Sequence, residues 1–91
     1  MMKKHLDPFT VYLPHLDLHG ETVESATFLI NSFISDNYKM KNERVVIIHG
    51  KSTGILKKTT QETLKKSKLV KEYNIDPLND GQTLVFLNKK Q

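Results

Sequence analysis

Two segments thirty residues apart share one pattern: Leu16-Asp17-Leu18-His19-Gly20 and Val46-Ile47-Ile48-His49-Gly50. Each has apolar residues at strand spacing, ends on a histidine, breaks at a glycine and is followed by helix-like periodicity. A chain that repeats strand, His-Gly turn and helix has few ways to fold. A right-handed crossover through the intervening helix places the two strands side by side and parallel, so that both turns meet at one edge of a sheet. Ligands of open α/β sheets bind beyond the carboxyl ends of the strands. The two turns are therefore expected to build one site.

The second copy continues into a short loop. Val45 to Ile48 are all β-branched and read as an interior strand buried on both faces. Gly50, Lys51, Ser52, Thr53 and Gly54 follow, and Ile55-Leu56 begins a helix. A tight turn from strand to helix presents unpaired backbone N–H groups at the positive end of the helix dipole. Phosphate is the commonest biological anion held that way. Lys51 is long enough to reach a phosphate, and Ser52 and Thr53 offer hydroxyls, although Thr53 is also a natural N-cap. His49 suits either of two roles, holding the loop by a hydrogen bond or transferring a proton. The glycine spacing does not give GxxxxGK[ST], so nucleotide hydrolysis has little support.

In the first copy, strict alternation turns Leu16 and Leu18 inward and sets His15, Asp17 and His19 on the other face. Two residues apart on a strand, Asp17 and His19 have Cα atoms roughly 6–7 Å apart. They could act as an acid–base pair on a ribose hydroxyl or on water. They could share a divalent metal such as Mg or Mn, with His15 as a third ligand. They could also be a solvated pair on an open sheet face. Spacing leaves all three readings open.

The remaining chain reads as follows. Residues 1–14 form an arm in which Phe9, Val11 and Leu13 alternate and Pro14 ends the run; residues 15–91 form one domain. Thr22 caps a helix whose stripe is Val23, Ala26, Leu29, Ile30, Phe33 and Ile34, ending near Tyr38. After the strand at 44–49, a second helix spans Gly54 to Lys66. It turns Leu56, Thr60 and Leu64 inward, helped by Ile55 and Thr63, and turns Lys57, Lys58, Gln61, Lys65 and Lys68 outward. Val70 to Ile75 is a strand, Asp76 to Gly81 a turn, and Thr83 to Leu87 a closing antiparallel strand. The order is β-α-β-α-β-β.

Charge singles out the same region. The net charge is +4. Residues 1–50 hold five Lys/Arg against six Asp/Glu, residues 51–72 seven against two, and residues 73–91 two against two. The positive excess thus lies in the loop and the helix after it. That is ordinary for a solvated helix, and it is also the footprint of a phosphate-backbone binder. No cysteine is present, so disulfide and thiolate chemistry are excluded. No apolar run is long enough to span a bilayer, and the basic N-terminus lacks the apolar stretch of a secretory signal. A soluble cytoplasmic protein with no membrane partner is expected; oligomeric state is not legible.

These residues resemble the small MutS-related (Smr) domain. Its two signatures, LDLHG and HGxGTGxL, are matched by Leu16 to Gly20 and by His49 to Leu56, with Leu69-Val70-Lys71 and Gly81-Gln82-Thr83-Leu84-Val85 in place behind them. The resemblance covers residues 15–88. It implies an α+β fold, a two-layer α/β sandwich with a four-stranded mixed sheet and both helices on one face, similar to the C-terminal domain of a bacterial translation initiation factor. It also implies cleavage of nucleic acid, either nicking of DNA or endonucleolytic cutting of RNA, including at stalled ribosomes. The family's D-x-H motif matches Asp17 and His19, the expected catalytic residues. Its Gly-rich loop matches His49 to Gly54, the expected nucleic-acid contact, with Lys57 and Lys58 extending it. One departure is Ser52, which stands where the family has its middle glycine. If that position needs a left-handed backbone, the change costs roughly 1–2 kcal/mol. Two functions follow, an endonuclease acting on DNA or RNA and a module that grips nucleic acid or a ribosome without cutting.

Overall fold

The computed structural model describes residues 12–90; Phe9 and Val11 of the expected arm lie outside them. The elements are β1 (His15–Asp17), α1 (Val23–Lys39), β2 (Arg44–Ile48), α2 (Ile55–Lys66), β3 (Val70–Asp76) and β4 (Asn79–Leu87). The order expected from the sequence holds. The strands form one mixed sheet in the order β1-β2-β4-β3, with β1 and β2 parallel and the other two pairs antiparallel.

Both helices cover one face. Leu16 and Leu18 at β1, Val45 and Ile47 of β2, and Val85 and Leu87 of β4 pack against Ala26, Ile30 and Ile34 of α1 and Leu64 of α2. The opposite face carries His15 and Asp17, and the register aligns Asp17, Ile48 and Gln82 in one row across β1, β2 and β4. Helix α1 starts as its sequence suggests. Thr22 Oγ1 accepts from the Ser25 amide, and Ser25 Oγ accepts from the Thr22 amide, a reciprocal capping box.

Helix α2 buries threonines rather than a conventional apolar stripe. Thr59, Thr60 and Thr63 face inward beside Leu64, whereas Ile55, expected to help line the core, is 54 % exposed. Each buried hydroxyl donates to the carbonyl four residues back, to Ile55, Leu56 and Thr59 respectively. That removes the penalty of an unpaired polar group and leaves a methyl to pack. Thr59 is therefore a core residue that apolar periodicity does not reveal.

The β3–β4 hairpin is tighter than its run of turn residues suggests. β4 begins at Asn79 rather than at Thr83, because Asp76 pairs directly with Asn79 across Pro77-Leu78. The register then slips. Ile75 pairs with Thr83, so Asp80, Gly81 and Gln82 lie between two partners that are adjacent on β3. A bulge of this kind re-aims the residues it contains, and here it brings them to the end of β2.

Candidate functional site

The two His-Gly turns do meet. Leu18 donates its amide to the carbonyl of Ile48 at 2.9 Å, which continues the β1–β2 pairing by one step. The chain then turns away, with Glu21 N donating to Leu18 O at 3.0 Å and Gly20 at φ +79°. Gly50 has φ +80° at the corresponding place. Both glycines thus take the left-handed backbone that ends their strands. Between the turns lies a cleft of about 390 Å³ lined by Asp17, His19, His49, Gly50, Ser52 and Leu56, together with Gly20 and Ile48.

The expected D-x-H pair does not sit on a strand throughout. β1 ends at Asp17, and His19 belongs to the turn. Its amide has no strand partner and instead donates to Asp17 Oδ1 at 2.9 Å. Asp17 is therefore anchored by backbone, and the His19 imidazole is exposed at the rim of the cleft. His15, on the same sheet face, does not complete a metal site: among the described residues no group of three or more His, Cys, Asp or Glu side chains could hold a metal ion. A divalent ion held by Asp17 and His19 would draw its other ligands from substrate and water.

His49 is buried, with 7 % of its surface exposed. Nδ1 lies 3.0 Å from the Gly50 carbonyl, which can only accept, so Nδ1 carries the proton. Nε2, 2.8 Å from Thr83 Oγ1, is then the acceptor of the Thr83 hydroxyl. Burial pushes the imidazole pKa below its ordinary value of 6.5; the Gly50 carbonyl and Asp80 pull it up, and Lys57 pushes it down further. Both ring nitrogens are thus engaged by the fold. Thr83 is a site residue that strand periodicity alone does not mark; its only signal is a hydroxyl within an otherwise apolar strand.

The loop from Gly50 to Gly54 enters α2 by an unforeseen route. Gly54, at φ +78°, is the N-cap, where Thr53 was expected, and no side chain caps the helix in the usual way. Thr53 Oγ1 takes only the Ile55 amide, at 3.3 Å. The amides of Leu56 and Lys57 have no acceptor within the helix, and the first turn contains no acidic residue. The positive end of α2 is therefore uncompensated. Ser52 brings no strain: among the described residues the one non-glycine with positive φ is Lys41.

Lys51 does not join the cleft. Its ammonium lies 3.2 Å from Asp80 Oδ1 on the bulge of β4. Lys57 is half-buried, and Lys58, Lys65, Lys66, Lys68 and Lys71 are exposed along α2 and the start of β3. A second depression, about 200 Å³ between the helices, includes Thr27, Asn31, Glu62 and Lys66 and none of the expected site residues.

A mixed four-stranded sheet with two helices on one face, and two His-Gly turns sharing a cleft at its edge, defines a narrow class of α+β domain. The family model of the Smr domain matches residues 16–88, and the chain belongs to that family. It is 44% identical over 72 residues to a protein named Endonuclease MutS2 from Geobacillus sp. (strain WCH70). The match covers 79% of this chain and 9% of that relative, so the chain corresponds to a small part of the longer protein. Among solved structures it resembles the Smr domain of Thermus thermophilus MutS2, with TM-score 0.80 and 26% identity, covering 84% of this chain and 99% of that one. It also resembles YdaL, a stand-alone small MutS-related protein from Escherichia coli, with TM-score 0.78 and 25% identity, covering 82% of this chain and 64% of the other.

Proposed function

We propose that this Smr domain binds nucleic acid across the edge cleft and cleaves its phosphodiester backbone, with Asp17 and His19 at the reaction centre. The observation that carries the reading is the single cleft in which the Asp17–His19 turn faces the His49–Ser52 loop. The loop is the holding half. His49, fixed between Gly50 and Thr83, sets its shape, while Ser52 and the free amides at the start of α2 offer donors to a phosphate. Lys57, Lys58 and the lysines beyond them attract the backbone.

On RNA, His19 takes the proton of the 2′-hydroxyl, whose oxygen bonds to phosphorus as the bond to the 5′ oxygen breaks. The leaving oxygen acquires a proton from water, and the products are a 2′,3′-cyclic phosphate and a 5′-hydroxyl. Asp17, which accepts the His19 amide, shapes the turn that carries the imidazole. DNA lacks the 2′-hydroxyl, so there an activated water must attack. Analysis of the product ends from labelled RNA and from circular DNA distinguishes the two routes. Loss of activity in Asp17→Ala and His19→Ala assigns it to this pair.

One observation favours a binding module instead. The hydrogen bond within the D-x-H pair runs from the His19 backbone and not from its ring, so carboxylate and imidazole are not a preformed dyad. In that reading the same surface grips nucleic acid or a ribosome without cutting. Affinity then falls steeply with salt while no new chain ends appear.

A further inference from the structure

The lysine of the loop is held by the protein's own carboxylate. We infer that Asp80 is an internal counter-ion that occupies the phosphate position on Lys51, and so sets how tightly the loop binds a nucleic-acid backbone. The inference rests on the reading of the cleft as a phosphate-binding site and assigns its affinity to a residue outside both family signatures.

Two exposed side chains in contact would normally carry little weight, because a surface ion pair contributes about 0–1 kcal/mol and holds its partners loosely. Here the backbone fixes the point from which the Asp80 side chain starts. The Gly81 carbonyl accepts from both the His49 and the Gly50 amides, each at 2.9 Å, which ties the β4 bulge to the mouth of the loop. The Gly81 amide in turn donates to Asn79 Oδ1 at 3.0 Å. A Cβ at position 81 would lie 3.2 Å from Lys51 Cγ and 3.5 Å from its Cε, so the lysine stem runs directly over the glycine. Asp80 precedes that glycine, and its carboxylate meets the ammonium at 3.2 Å. The three-residue slip in register between β3 and β4 is what puts the bulge there.

The consequence is competition. An incoming phosphate must displace Asp80 to recruit Lys51, whose ammonium is engaged by that carboxylate and which is not among the residues lining the cleft. Because both side chains are about two-thirds exposed, at 67% and 71%, the pair opens readily. Asp80 therefore tunes affinity and does not block access. Lys57, Lys58 and the amides of α2 stay available throughout.

The test is a binding cycle at low salt with a labelled RNA hairpin and a labelled DNA duplex. It uses the wild-type chain, Asp80→Asn, Lys51→Met and the double variant. Glu43→Gln, at the far end of β2, controls for the general loss of one negative charge. Asp80→Asn is expected to tighten binding roughly two- to five-fold beyond Glu43→Gln, the scale of a surface ion pair. In the Lys51→Met background the same substitution should have no more effect than the control. Equal effects of Asp80→Asn and Glu43→Gln, or an undiminished effect without Lys51, would overturn the inference while leaving the binding reading intact. Failure of every variant to bind either probe overturns both.

Discussion

His49 and Thr83 are joined across the end of the sheet by a 2.8 Å hydrogen bond between Nε2 and Oγ1, with Thr83 fully buried. The Gly50 carbonyl holds the proton on Nδ1 of the neutral ring, and the bond to Thr83 ties the start of the loop to β4. The pKa of His49 is lowered in the folded chain, chiefly by burial. A lowered value means that the unfolded chain binds the proton more readily. The stabilisation is complete above the ordinary value of 6.5 and is lost as pH falls from there through the folded-state value. Melting midpoints measured from pH 8 to pH 5 should therefore decline more in the wild type than in His49→Gln. Thr83→Val, which leaves Nε2 without a partner, should cost about 1–2 kcal/mol at pH 8 in denaturant titration.

Gly54 and Ser52 should respond very unequally to exchange of a side chain. Gly54 sits at φ +78° with open space around the site of a Cβ, so Gly54→Ala meets only conformational strain, about 1–2 kcal/mol. Ser52 is not among the positive-φ residues. Ser52→Gly, which restores the family pattern, should leave stability unchanged or lower it by a few tenths of a kcal/mol through chain entropy. Urea unfolding of the two variants measures both.

Asp76 anchors the β3–β4 hairpin from inside. It is 1 % exposed; Oδ1 accepts from the Leu78 amide and Oδ2 from Gln82 Nε2. Asp76→Ala strands both donors and should destabilise the domain by about 2–4 kcal/mol. The loosened bulge should also show faster amide exchange at His49 and Gly50, whose N–H groups bond to Gly81.

The basic face of α2 should appear in the salt dependence of binding. Each phosphate neutralised on duplex DNA contributes about −0.9 to the slope of log K against log salt. Replacing Lys57 and Lys58 together by Glu should make that slope less steep by at least about 1.8 if both contact phosphates. An unchanged slope removes this end of α2 from the interface.

Element order and the meeting of the two His-Gly turns were legible because they rest on local signals. Leu16 and Leu18 alternate, Thr22 precedes a helical stripe, and glycine follows each histidine. What was not legible depends on distant partners. Thr59 is a core residue because its hydroxyl bonds within the helix, which hides it from a search for apolar spacing. Gly54 displaced Thr53 as the cap because the turn needed a left-handed residue there. Lys51 reads as a phosphate ligand because a long cationic side chain in the turn can reach a phosphate. Its partner Asp80 arrives from another strand through a shifted register.

The central proposal is that Asp17 and His19 cleave a nucleic-acid backbone held by the facing loop. Its most direct test is a time course of purified wild type, Asp17→Ala and His19→Ala on end-labelled RNA and on circular DNA, with EDTA, Mg or Mn present. The expected result is cutting by the wild type and a rate lower by about 10²–10⁴-fold in His19→Ala, with Asp17→Ala also impaired. Equal cleavage by all three proteins, or none by the wild type under any metal condition, would contradict it.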